Sequence, residues 1–130
     1  MSIKQFDFPE TSVNTPIKVF SDISLLQNGK AAVGWAFTNH NGKPFYTTGE
    51  RLGENYDAAS AAEREGIERA IKILMKRNQV RHIKILTDSK PAIHHINKEE
   101  YSHRFENMSI NWIPREENHI ADIIADRHMW

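Results

Sequence analysis

Four acidic side chains in this sequence sit where a solvated surface charge has little reason to be. Seventeen residues are Asp or Glu, and most fall at positions that suit a charge in water. Asp22 instead closes the apolar run Ile17-Lys18-Val19-Phe20-Ser21, and Asp88 directly follows the short apolar stretch His82 to Thr87. Asp122 lies between Ala121 and Ile123, one helical turn after Asn118. Glu63 falls four residues after Ala59 and four before Ile67, inside an apolar stripe whose solvent side carries Arg64, Glu65, Glu68, Arg69 and Lys72. A carboxylate turned toward a sheet is costly unless it is paired or binds a cation.

Each of the four has an ordinary alternative role. Asp22 suits a turn. Asp88 suits a helix N-cap, although Ser89 would serve equally well. Asp122 suits the positive end of a helix dipole. Glu63 could close a capping box, Ser60-Ala61-Ala62-Glu63, if the helix begins later. Taken together, they sit at strand ends and on helices of alternating elements, which can converge. Four carboxylates at one point repel, so without cations some must stay protonated. Two divalent ions relieve that conflict, and all-oxygen donors suit Mg²⁺ or Mn²⁺.

The elements that must position these groups are legible from periodicity. Ile17 to Asp22 reads as a strand, Asn28-Gly29 as a turn, and Ala31 to Thr38 as a second strand. Asn39-His40-Asn41-Gly42 is a hairpin signal, followed by a third strand from Pro44 to about Arg51. Helical spacing then runs from Asp57 to about Lys76. His82 to Thr87 reads as a strand, and Asp88-Ser89-Lys90-Pro91 as the start of a helix reaching about Asn97. A polar stretch with Tyr101 and His103 leads to a fifth strand, Met108 to Ile113, and a last helix starts near Glu117. The order β-β-β-α-β-α-β-α implies an α/β fold: a five-stranded mixed sheet with helices on both faces. Residues 1–15 read as an irregular lead-in and residues 16–130 as one domain.

Composition removes several alternatives. The chain has 130 residues, no cysteine, and a formal net charge of zero with seven histidines. Thiolate zinc sites and disulfides are excluded, and the charge balance argues against a grip on nucleic acid by bulk charge. Acidic ion-binding residues that offset a basic patch are compatible with that balance. No apolar run approaches the roughly 20 residues of a membrane span, and no secretory pattern opens the chain. A cytoplasmic monomer without membrane contact is the expectation.

Four ordered motifs carry a resemblance: VFSDIS, AAEREGIERAI, ILTDSKPAIHHIN and WIPREENHIADIIA. From about Ile17 onward the chain resembles the ribonuclease H type 1 family. The resemblance implies the ribonuclease H fold and carries the metal-ligand and catalytic roles onto Asp22, Glu63, Asp88 and Asp122. Glu63 is preferred to Glu65 because Ala62 precedes it and Gly66 follows three positions on. Asp122 is preferred to Asp126 because it completes Asn118-His119-Ile120-Ala121-Asp122. Arg115 is similar to an arginine that replaces a loop histidine in some members, which implies a phosphate or product-release role. Ser24, Asn28, Ser60, Lys90 and Asn118 are implied substrate contacts, while His103 and His119 are weaker candidates.

The implied reaction is hydrolysis of the RNA strand of an RNA/DNA hybrid by two Mg²⁺ or Mn²⁺ ions, leaving 5′-phosphate and 3′-hydroxyl ends. Strand choice would come from the 2′-hydroxyl. Two departures bear on it. Asp22-Ile23-Ser24 replaces the family's Asp-Gly-Ser, and the basic protrusion of some members is missing between Asn97 and Met108. Lys76, Arg77, Arg81, Lys84 and Lys90 could line the DNA strand, or form a solvated helix end and sheet edge. One rival reading is a ribonuclease H-like module that binds nucleic acid or protein with little or no cleavage. Another is a DNA exonuclease or junction resolvase on the same fold.

Overall fold

A computed structural model describes residues 8–128. Strand β1 (Ile17–Leu25) runs antiparallel to β2 (Ala31–Thr38), which runs antiparallel to β3 (Pro44–Gly53). Helix α1 (Ala59–Met75) then crosses to β4 (His82–Thr87), which pairs in parallel with β1. Two short helices, α2 (Lys90–His95) and α3 (Lys98–Ser102), lead to β5 (Asn107–Trp112), parallel to β4. A 3₁₀ turn at Arg115–Glu117 precedes α4 (His119–Arg127). The sheet order is β3-β2-β1-β4-β5.

The expected fold class is therefore the observed one, with three local differences. The helix after Asp88 stops at His95, because Ile96 and Asn97 are extended; Asn97 then caps α3 by accepting from the Glu99 amide at 3.1 Å. The polar stretch around Tyr101 is thus helical. It is anchored by the Tyr101 hydroxyl, which donates to Glu68 of α1 at 2.6 Å. The last helix starts two residues later than expected, after the 3₁₀ turn. The lead-in is irregular over its described part, residues 8–15; residues 1–7 lie outside the described residues. Phe8 nonetheless joins the core, edge-on to Phe37 with ring centroids 5.3 Å apart.

Two glycines seat helices on opposite faces of β2. Every residue of β2 is buried, as expected for a strand covered on both sides. On one face, a Cβ on Gly66 of α1 would stand 2.7 Å from the Val33 side chain. Trp35 fixes the same turn by donating its indole N–H to the Gly66 carbonyl at 3.1 Å. On the other face, a Cβ on Gly34 would stand 2.2 Å from the Ala121 carbonyl oxygen and 2.4 Å from the Ala125 nitrogen of α4. Both helices therefore lie against the sheet more closely than any side chain at these positions would allow.

Candidate metal centre and nucleic-acid groove

Three of the four singled-out carboxylates meet. Ligand oxygens of Asp22, Glu63 and Asp88 all lie within 4.8 Å of one another. Asp22 is carried on β1, where it pairs with Gly34, and its Oδ1 accepts from the Ile23 amide at 2.9 Å. Glu63 comes from the second turn of α1, with Ala62, Gly66 and Ile67 buried around it. The helix starts at Ala59 with Ala58 as N-cap and no side-chain cap, so Ser60 lies inside the first turn and the capping-box alternative falls away. Asp88 follows β4. Its capping alternative falls away too, because Ser89 accepts from the Ala92 amide at 3.3 Å and caps α2.

Asp122 stands outside this group. It is exposed on the first turn of α4, and its charge is felt by both Asp22 and Asp88. Its backbone amide donates to the Asn118 carbonyl at 3.1 Å.

The electrostatics follow from burial. Asp22 and Glu63 are each only 5% exposed. Burial pushes Glu63 up to about 10, and the hydrogen bond with Asp22 and the charges of Asp22 and Asp88 add to it. Burial also raises Asp22, to about 6; the hydrogen bond from Glu63 opposes that rise and the Asp88 charge adds to it. Asp88 is raised by burial, and Arg115 opposes the shift. At neutral pH the cluster thus holds a proton on Glu63, whose Oε2 is buried without a hydrogen-bond partner. A divalent cation would displace that proton and give the oxygen a partner. The donor set of hard carboxylate oxygens fits Mg²⁺ or Mn²⁺.

These carboxylates line a groove of about 470 Å³, together with Ile23, Ala59, Ser60, Ser89, Pro91, Trp112 and Arg115. Of the residues expected to contact substrate, Ser60 lines the groove. Lys90 is exposed beside it, with Nζ 4.7 Å from the Trp112 ring centroid. Ser24 is half-buried on β1 opposite Ala32. Asn28 is exposed in the β1–β2 turn, and its side-chain oxygen accepts from the Lys30 amide at 3.1 Å. Asn118 is buried, and its Nδ2 donates to the Ser21 carbonyl at 2.9 Å. It therefore latches α4 to β1 next to Asp22. His103 and His119 are exposed and do not line the groove.

The basic cluster does not assemble at this site. Lys76 and Arg77 follow the C-terminus of α1, and Arg81 precedes β4, whose far end leads to Asp88. At strand rise, Arg81 stands roughly 20 Å from Asp88. The Arg77 guanidinium lies 5.2 Å over the Phe8 ring, and Lys84 sits mid-strand opposite Lys18 and Ser109. Lys76 and Arg81 are exposed and Arg77 is half-buried at this distant end, while Lys84 is exposed on β4, an interior strand rather than a sheet edge; Lys90 alone among the five stands beside the groove. Trp112 was not singled out from the sequence. Its signal was an aromatic ending an edge strand two residues after Ile110, on the face that Ile110 buries.

The chain matches the reverse transcriptase-like family over residues 23–128. The protein belongs to that family, and its fold is that of ribonuclease H. No curated protein matches it by sequence. Among solved structures, it is similar to ribonuclease H1 from the archaeon Halobacterium salinarum, with 21% identity and a TM-score of 0.74 over 87% of this chain and 96% of that one. LC11 ribonuclease H1, solved with an RNA/DNA hybrid, is similar at 19% identity and a TM-score of 0.70, over 87% and 96% of the two chains. The N-terminal ribonuclease H domain of a Mycobacterium tuberculosis protein is 17% identical with a TM-score of 0.72, over 88% and 93%.

Proposed function

We propose that this protein is a metal-dependent endoribonuclease that hydrolyses the RNA strand of RNA/DNA hybrids, leaving 5′-phosphate and 3′-hydroxyl ends. The observation that carries the reading is the meeting of Asp22, Glu63 and Asp88 within 4.8 Å in a groove of a ribonuclease H fold. Such a cluster is electrostatically unfavourable by itself and has a ready purpose as a cation site. The similarity to a ribonuclease H1 solved with an RNA/DNA hybrid supports the substrate class.

In this reading Asp22, Glu63 and Asp88 hold two Mg²⁺ or Mn²⁺ ions, with Asp122 completing the site from the first turn of α4. Ions there would supply a nucleophilic water and charge stabilisation for the leaving 3′-oxygen. The chain's own residues do the rest. Arg115 lines the groove and offsets the Asp88 charge, which suits it to a phosphate. Ser60, at the start of α1 in the same groove, offers a hydroxyl to a ribose 2′-OH, the group that separates RNA from DNA. Asn118 acts through its bond to the Ser21 carbonyl, so its role is to position α4 against β1.

The test is a strand-labelled RNA/DNA hybrid and a duplex DNA of the same sequence, each incubated with Mg²⁺, Mn²⁺ or EDTA. Cation-dependent cleavage confined to the RNA strand is the expected result. A folded protein that binds the hybrid but cuts nothing with either ion would identify a binding module instead. Cleavage of duplex DNA would point to the exonuclease or resolvase reading.

A further inference from the structure

The groove has one wall that the proposed chemistry does not use. Trp112, the last residue of β5, lines it with Asp22, Glu63, Asp88 and Arg115, yet is 47% exposed. The other large aromatics of the sheet interior, Trp35 and Phe37, are fully buried. Lys90, the first residue of α2, places its ammonium 4.7 Å from the centre of the Trp112 ring. A half-open indole with a cation seated on it therefore shares the groove with the carboxylates.

We propose that Trp112 and Lys90 together hold one sugar–phosphate unit of the nucleic-acid substrate beside the cleavage site. The inference rests on the function proposed above and adds a contact to it. Within a paired hybrid the faces of the bases are enclosed by stacking. An aromatic wall at the groove edge therefore meets the C–H face of a sugar, and the neighbouring cation meets its phosphate. A lysine is a flexible, strongly hydrated point charge; seated on the indole it is held at the groove rim by a cation–π contact.

The charge distribution makes this contact matter. The chain carries no net positive charge, and Lys76, Arg77, Arg81 and Lys84 stand away from the groove. Arg115 and Lys90 are the two members of these groups that stand at the groove, so phosphate attraction near the carboxylates leans on them. Few fixed cations must do what a basic surface does elsewhere.

The experiment compares wild type with Trp112→Ala, Trp112→Phe and Lys90→Met. It measures kcat, KM and melting temperature. Hybrid Kd is measured over a salt series, with each substitution placed in an Asp88→Asn background to prevent turnover. Trp112→Ala should raise KM and Kd by roughly three-fold or more, since it removes both the aromatic wall and the cation–π seat of Lys90, with kcat changed by less than about two-fold. Trp112→Phe should restore most of that loss. Lys90→Met should lower the slope of log Kd against log salt by about one, the signature of a lost phosphate contact. Unchanged KM and Kd in Trp112→Ala would overturn the proposal. So would a Trp112→Phe variant as weak as the alanine one with a depressed melting temperature, because the ring would then be a packing residue. If wild type binds hybrid through Trp112 but cleaves nothing, the catalytic reading fails and the contact stands. Absence of any hybrid binding overturns both.

Discussion

Replacing Gly34 with alanine should disable the proposed hybrid cleavage by displacing α4. The added methyl carbon would lie 2.2 Å from the Ala121 carbonyl oxygen, 2.4 Å from the Ala125 nitrogen and 2.9 Å from the Ile124 Cβ. Ordinary contact begins near 3.4 Å, so the deficit is about 1.2 Å. Two of the three opposing atoms belong to the backbone, and no rotamer change relieves them. Helix α4 must therefore lift by about 1 Å, at an overpacking cost of about 1–3 kcal/mol. For a chain of this length, 2 kcal/mol lowers the melting temperature by about 7 °C. Gly34 pairs with Asp22, so the displacement opens the gap between Asp22 and the α4 turn that carries Asp122. A misplacement of about 1 Å in a catalytic constellation can reduce turnover by roughly 100-fold. The assay is steady-state cleavage of a hybrid at 25 °C alongside thermal unfolding. Leu74→Ala serves as the control, because it opens a cavity near the C-terminus of α1 at about 2–5 kcal/mol, eleven residues from Glu63. It should be at least as unstable yet retain wild-type kcat at temperatures where it is folded. Equal activity of Gly34→Ala and wild type would refute the reasoning. So would a loss of activity that Leu74→Ala reproduces.

Three further outcomes follow from the site. Glu63 and Asp22 titrate near 10 and 6 in the folded protein, against ordinary values of 4.5 and 3.8. The native state thus keeps protons that the unfolded chain has released. The associated stability is complete below about pH 4 and is lost as pH rises through 6 and on toward 10. Urea midpoints of the cation-free protein should accordingly fall between pH 5 and pH 9. Glu63→Gln should flatten that decline, and saturating Mg²⁺ should offset it by binding the deprotonated cluster, about 2.7 kcal/mol at a hundred times Kd. A midpoint that rises with pH in EDTA would contradict the buried, protonated Glu63. Asp88→Asn should abolish hybrid cleavage with an unchanged circular dichroism spectrum, since Ser89 rather than Asp88 caps α2; retained cleavage would remove Asp88 from the site. Asn118→Ala should lower stability by about 1–3 kcal/mol, the range for a buried polar partner removed, and reduce kcat with little change in KM. A rise in KM alone would show that Asn118 contacts substrate directly.

What the sequence revealed and what it concealed divide along physical lines. Strand and helix identities were legible because β2 and α1 carry clean apolar patterns, and the hairpin turns carry Asn-Gly signals. Asp22, Glu63 and Asp88 were legible because each interrupts such a pattern, so the cost of burying it was visible in one dimension. The break between α2 and α3 was not legible: Ile96 continues the apolar spacing, and its extended backbone is set by packing into the core. The family resemblance implied Asn118 as a substrate contact, and nothing in its sequence position revealed that it is buried. Its burial comes from α4 lying so close over Gly34, which is a tertiary fact. The spacing of Trp112 along β5 put it on the face that Ile110 buries, and showed neither its exposure nor that α2 would bring Lys90 over its ring.

The same logic explains why the site is built around small residues. A carboxylate cluster needs its members closer together than charges prefer, and the surrounding packing must hold them there. Ala62 and Gly66 let α1 settle onto Val33, which delivers Glu63 to Asp22. Gly34, Ala121 and Ala125 let α4 settle on the opposite face, which brings the Asp122 turn toward the same strand. Larger side chains at these positions would contribute more apolar burial and a more stable fold. They would also hold the helices further from β1, leaving the carboxylates too far apart to share a cation.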